Sequence, residues 1–193
     1  MAVPERKEYV DELLKELGSV PVAWENGSGI WDTRCRAMMM RPDDSTHHVV
    51  IQDDAVLCKD FKSKVEEYVS NYPDCAISLY LGSRDTKKFR DVVLPKINYA
   101  VLNELDIVDY SWLSWGVGLV LPTGFINDIV LFWDKKDKWL RHDDSRIGVY
   151  LNKHNVKLVY SFPSLVDHRE GVSAIESDKS VKKRHAYKFI GKK

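Results

Sequence analysis

Thr46-His47-His48-Val49-Val50-Ile51-Gln52-Asp53-Asp54-Ala55-Val56-Leu57 is the stretch on which the reading of this chain turns. Residues 48–51 are short, β-branched and apolar, the pattern of a central strand buried on both faces. The run ends in Gln52-Asp53-Asp54. Two carboxylates directly after a buried strand are costly unless something pairs with them. A hard divalent cation with oxygen ligands, Mg²⁺ or Mn²⁺, would neutralise them and bridge to a diphosphate. Residue chemistry alone supports a plain turn or a cap on the next helix equally well.

Strands and helices alternate around this stretch. Residues 6–17 are helical by period, with Tyr9, Leu13, Leu14 and Leu17 on one face, Pro4 where a helix start tolerates it and Gly18 as a stop. Residues 20–24 read as a strand and 25–29 as a loop. Helices follow over 31–40, 60–72 and 96–105, then over 125–133 and 144–154. Residues 76–81 and 156–160 read as strands, and 110–121 as strand-rich. Residues 134–141 are charged and read as surface. Such alternation implies an α/β fold: one domain with a mostly parallel central sheet flanked by helices. Ligands bind beyond the carboxyl ends of such strands, which points to the loops after Val3, Trp24, Gln52 and Leu81.

The chain's 193 residues suit one domain with a sizeable core. Lys plus Arg and Asp plus Glu are both 29, so no mean field favours a polyanion and any such contact needs a local patch. Cys35, Cys58 and Cys75 form no CxxC pair, which fits a reducing compartment and no zinc site. The first residues do not read as a signal peptide. No apolar run reaches the roughly 18 residues of a membrane span; residues 112–125 are broken by Gly116, Gly118, Pro122 and Gly124. The expectation is a cytoplasmic protein without a transmembrane segment.

Residues 46–57, followed by Asp60-Phe61, resemble the acidic motif of GT-A fold glycosyltransferases. The likeness is to the lipopolysaccharide-type inverting group, where an apolar strand ends in Glu-Asp-Asp and an Asp-Phe follows a short apolar stretch. Gln52 stands in place of the Glu and removes one charge. The resemblance implies a GT-A-like domain over 1–178 followed by a basic tail over 179–193. It further implies that Asp53 touches the donor ribose or sugar and that Asp54 binds Mn²⁺ or Mg²⁺. Val3-Pro4-Glu5-Arg6 looks like the first strand and basic turn that hold the nucleotide, which places Pro4 and Arg6 at the donor. By its own chemistry Arg6 adds a cation at a helix start, or is simply solvated. Glu25 ends the second strand, as a donor contact or a loop carboxylate. Trp31, Asp32 and Arg36 open a helix that covers the donor in this fold; Trp31 is also a natural core residue.

Asp143-Asp144 stands at a helix start, where carboxylates serve as caps. In the resembling enzymes one of such a pair deprotonates the acceptor hydroxyl, and Asp144 is the first choice for that base, Asp143 the second. Phe162-Pro163-Ser164-Leu165-Val166-Asp167-His168, then Gly171-Val172-Ser173, resembles the late Pro-x-Leu-Val-x-His segment. This makes His168 a metal or diphosphate ligand. His47 and His48 point to opposite faces of a strand and do not share an ion. Trp112 to Gly118 resembles a strand near the acceptor, with Gly116 and Gly118 open to close backbone approach. Trp112 and Trp115 either stack on a ligand or pack in the core.

The implied activity is metal-assisted, inverting transfer from a nucleotide-sugar, expected to be a UDP-sugar such as UDP-glucose, to a hydroxyl. From residue 179 the chain carries seven Lys or Arg and no acid, interleaved with Tyr187 and Phe189. That mixture suits phosphate contact and base stacking. It resembles bacteriophage enzymes that glycosylate hydroxymethylated pyrimidines of DNA, which implies a flipped or exposed base and the host cytoplasm. Three alternatives stay open: a saccharide or glycolipid acceptor at a membrane face, a solvated terminus, and a nucleotide-sugar-binding module without turnover.

Overall fold

The central sheet of the protein, seen in a computed structural model that describes residues 1–83, 86–132, 142–170 and 184–191, has five strands. They are β1 (His47–Ile51), β3 (Ala76–Ser78), β4 (Ile107–Asp109), β5 (Gly118–Pro122) and β6 (Leu158–Ser161), in the order β1-β5-β3-β6-β4. Arg84, the charged stretch 134–141, Gly171-Val172-Ser173 and the start of the basic tail lie outside the described residues.

The sheet is mixed, which corrects the expectation of a mostly parallel one. Only β3 and β6 pair in parallel, Ala76 opposite Leu158. β5 enters antiparallel between β1 and β3, with Ile51 opposite Gly118 and Ile77 opposite Val120. β4 closes the far edge antiparallel to β6. The reason lies in residues 110–121, which read as one strand-rich block: residues 110–117 form no strand, and β5 begins only at Gly118, after an irregular segment that separates it from β4. Alternation of elements records that crossovers exist, not the direction from which a strand is inserted. Because β5 is antiparallel to both β1 and β3, strands β1, β3 and β6 all point the same way. Their carboxyl ends therefore share one end of the sheet, where β5 begins.

Adjacent residues of each strand face opposite layers. Val50, Leu119, Leu121, Leu158 and Tyr160 join a core with Met38, Ile97, Ile126, Ile147 and Leu151. These come from α2 (Ile30–Met39), α4 (Leu94–Leu102), α5 (Ile126–Leu131) and α6 (Asp143–Lys153). Ile77, Val120 and Val159 face the other way, onto Leu13, Phe61 and Val65 of α1 (Lys7–Leu17) and α3 (Phe61–Asn71). Each fully buried aliphatic contributes about 1.5–3 kcal/mol, and both faces of the sheet are covered.

Residues 20–24 make only a bridge, Ala2 to Trp24. Pro21 interrupts the ladder's donors there. A second, two-stranded sheet pairs β2 (Ala55–Leu57) with β7 (Val166–His168) and sets His168 opposite Ala55. Residues 184–191 lie along residues 81–83 and Ser164: Ala186 bridges Gly82, Phe189 bridges Ser164, and the Tyr187 amide donates to the Leu81 carbonyl at 2.7 Å.

Candidate functional site: two carboxylate pairs at one sheet end

The first pair follows β1. Asp53 and Asp54 are each 6% exposed. The Val3 amide donates to Asp53 Oδ2 at 2.8 Å. Arg6 Nη1 donates to Asp53 Oδ1 at 2.9 Å and to Asp54 Oδ2 at 2.5 Å. Pro4 opens a one-turn 3₁₀ helix (Pro4–Arg6) that carries Arg6 to this point. Thus the Val3-to-Arg6 segment, expected at the donor, does meet the acidic pair. Its cation is turned onto the carboxylates, and both Asp53 oxygens have protein partners.

His168 reaches Asp54 through the β2–β7 pairing. Its Nε2 lies 3.2 Å from Asp54 Oδ2, and the Arg169 amide donates to the Asp54 carbonyl at 2.7 Å. His168 Nδ1 is 2.7 Å from the Arg169 carbonyl oxygen. A carbonyl only accepts, so Nδ1 carries the hydrogen, and Nε2 needs a proton or a cation to face a carboxylate. Two neighbouring ligands of one octahedral Mg²⁺ or Mn²⁺, each at about 2.1 Å, stand about 3 Å apart. The His168–Asp54 spacing allows both to ligate one ion and equally suits a direct hydrogen bond, and the same Asp54 oxygen already bonds Arg6. Asp54 Oδ1 is buried without a hydrogen-bond partner, a second sign that the carboxylate is built for something more. Among the described residues no cluster of three His, Cys, Asp or Glu could hold an ion. The remaining positions around a metal here would fall to diphosphate oxygens and water. Burial pushes the Asp54 carboxyl up, but the His168 ring and the Arg6 guanidinium together outweigh it and hold the group below its ordinary range.

The second pair opens α6. Asp143 Oδ2 accepts from Arg34 Nε at 2.5 Å, and Arg34 Nη2 donates to the Gly116 carbonyl at 2.9 Å. Arg34 is 0% exposed, and its Nη1 is buried without a partner. So Asp143 is not the helix cap that its position suggests. Asp144 is half-buried, and its Oδ1 accepts from the Ser145 amide at 2.6 Å. Burial first, and the Asp143 charge second, raise the Asp144 carboxyl from 3.8 to about 6. A Cβ on Gly116 would sit 3.0 Å from Arg34 Nη2 and 3.3 Å from Asp144 Cβ. The close approach at Gly116 is therefore made by protein side chains, not by a ligand.

An aromatic row leads from His168 toward the second pair, ending at Tyr160, whose hydroxyl feels the Asp144 charge. The Tyr80 ring is 6.4 Å from His168 and 6.5 Å from Trp115, which stands edge-on to Tyr160 at 6.0 Å. The Tyr160 hydroxyl donates to the Trp112 carbonyl at 2.8 Å and accepts from the Ser114 amide at 3.1 Å, holding the turn before β5. Trp115 packs in this row and over Gly82, where any side chain would collide with its ring at 2.7 Å.

The other expected residues lie apart from these contacts. Glu25 Oε1 accepts from the Gly27 and Gly29 amides at 2.8 and 3.1 Å and braces its own loop. Asp32 pairs with Arg36 one turn on, at 2.8 Å. Trp31 is half-buried under the Arg146 guanidinium at 5.2 Å. In the basic tail the Tyr187 ring lies 6.0 Å from Phe89, and Phe189 packs against the second core. Arg34 was not anticipated. Its signal was legible: it falls on the same helical stripe as Ala37 and Met38, where an arginine must have a buried partner.

A scan against models of known families matches none, and a search of curated proteins finds no similar sequence. Among the described residues no helix is long and apolar enough to cross a membrane.

Proposed function

We propose that the protein moves a sugar from a nucleotide-sugar, a UDP-sugar, to an acceptor hydroxyl with inversion at the anomeric carbon. One observation carries this reading. Two acidic pairs from distant parts of the chain lie at the same end of the sheet with opposite proton affinities, one held below the ordinary carboxylate range and one raised to about 6. Opposed carboxylate environments are the usual mark of divided roles in a site.

In this proposal Asp54 and His168 hold Mg²⁺ or Mn²⁺, which when bound offsets the charge of the leaving diphosphate. Arg6 keeps a fixed positive charge beside both carboxylates. Asp144 accepts the proton of the acceptor hydroxyl as its oxygen bonds to the anomeric carbon. The bond from that carbon to the diphosphate oxygen breaks, and the nucleoside diphosphate leaves. A base with this affinity is ionised at neutral pH, so transfer rises with pH through about 6.

For the acceptor we keep the hydroxymethylated pyrimidine of phage DNA, on the cations of the tail. The inward packing of Phe189 leaves that support to charge more than to stacking. A second reading, a nucleotide-sugar-binding module without turnover, is favoured by Arg6, which already pairs with both Asp53 and Asp54. The test is release of UDP from UDP-glucose with Mn²⁺, against hydroxymethylated DNA, glycans and water. Asp54→Asn and Asp144→Asn should each lower transfer by about 10²-fold or more. Near-normal transfer by both would falsify the assignment, and tight donor binding with no release, even to water, would select the binding module.

A further inference from the structure

Arg34 is among the largest fully buried side chains of the described residues, and its charge sits between elements that are far apart in sequence. It reaches Asp143 on α6 and the Gly116 carbonyl ahead of β5. Its third nitrogen has no partner. A buried guanidinium of this kind is expensive, and replacing a buried ion pair by apolar residues is often neutral or stabilising. Stability alone therefore does not account for it. Gly116 is shaped to the arrangement, since a Cβ there would press on both Arg34 and Asp144.

We propose that Arg34 is the positioning residue of the Asp143–Asp144 pair: by binding Asp143 and the Gly116 carbonyl it occupies one carboxylate and leaves Asp144 to serve the acceptor hydroxyl. The hydroxyl rests on the transferase reading; the division between the two carboxylates rests on geometry alone. No ion pair engages Asp144 among the described residues. The charged and titratable groups that act on it are Asp143 and His142 of its own helix region, Arg34 of α2 and the Tyr160 hydroxyl of β6. Arg34 and Asp143 act in opposite directions, so removing one should move Asp144 and removing both should largely restore it.

The experiment follows the Asp144 side-chain carboxyl by ¹³C NMR from pH 4 to 9 in the full chain, assigned by its loss in Asp144→Asn. Arg34→Gln should raise the midpoint by about one pH unit, and Asp143→Asn should lower it by a similar amount. Arg34→Lys keeps the charge and should stay near the parent. The double variant Arg34→Met with Asp143→Asn should return toward the parent value and, with both charges gone, should fold even where Arg34→Gln does not. An unmoved midpoint in folded Arg34→Gln or in Asp143→Asn, or a double variant that stays as far from the parent as a single variant, overturns the proposal. The transferase reading fails separately: midpoints that move as expected in a protein that transfers no sugar leave the positioning role standing without it. In an active protein, Arg34→Gln shifts the acid limb of the kcat/KM profile by the same amount, with donor KM unchanged.

Discussion

Asp53-Asp54 and Asp143-Asp144 are the same dipeptide at the same end of one sheet, yet their surroundings drive them apart. Asp54 has a guanidinium and an imidazole against one oxygen, and its proton affinity falls. Asp144 has burial and a neighbouring carboxylate, and its affinity rises to about 6. Each pair has one arginine. Arg6 is partly exposed and bonds both carboxylates of its pair, whereas Arg34 is wholly buried and bonds Asp143 and a backbone carbonyl but not Asp144. Sharing a cation makes two ionised groups; withholding it from one makes a base. The type of residue sets what a site is capable of, and the allocation of counter-charge sets which member does it.

The comparison breaks most visibly at Asp143. Asp143→Ala strands the Arg34 charge in the core and should cost about 3–5 kcal/mol in urea unfolding. Asp53→Ala, which removes partly exposed bonds from Val3 and Arg6, should cost only about 1–3 kcal/mol. Equal losses at the two positions would mean that the buried and the shared cation are energetically alike. Gly116→Ala tests the packing beneath the second pair. With a methyl group 3.0 Å from Arg34 Nη2, a cost of about 1–3 kcal/mol is expected, and a neutral thermal melt would show that the arrangement yields.

The smallest effect is the pH dependence, and its sign differs between the pairs. Asp144 has its affinity raised in the folded state from 3.8 to about 6. Its protonation favours folding, so its contribution is fully present below pH 3.8 and is lost as pH rises through about 6. Asp144→Asn should therefore gain on the parent by about 2 kcal/mol between pH 4 and 7. Asp54 has its affinity lowered, so its contribution is present above the ordinary carboxylate range and lost as the pH falls below it. Asp54→Asn should close its deficit in acid. Parallel pH profiles for the two variants would erase the distinction drawn here.

Much of this was legible before any coordinates. The strand before Gln52, the helix over 6–17 and the acidic dipeptides at element ends follow from local periodicity and position. But the strand, read as central and buried on both faces, is the edge strand β1, with Val50 its one fully buried residue. His168 was legible only through resemblance, since a lone histidine after a short apolar run has no signal of its own. Glu25 shows the opposite failure: a strand-end carboxylate that braces its loop looks the same in sequence as one that meets a ligand. The tail's aromatics looked free for stacking because nothing in the sequence records that residues 184–191 lie against Leu81 and Ser164.

By itself the sequence determined an α/β chain with two acidic pairs waiting at the ends of regular elements, because spacing along a helix or strand is a local property. Only the tertiary structure decided that β5 runs backward between β1 and β3, that His168 lands on Asp54, and that Arg34 binds Asp143 from 109 residues away. Strand direction and counter-charge depend on neighbours brought from elsewhere in the chain, and in a low-dielectric interior those neighbours decide which carboxylate keeps its proton.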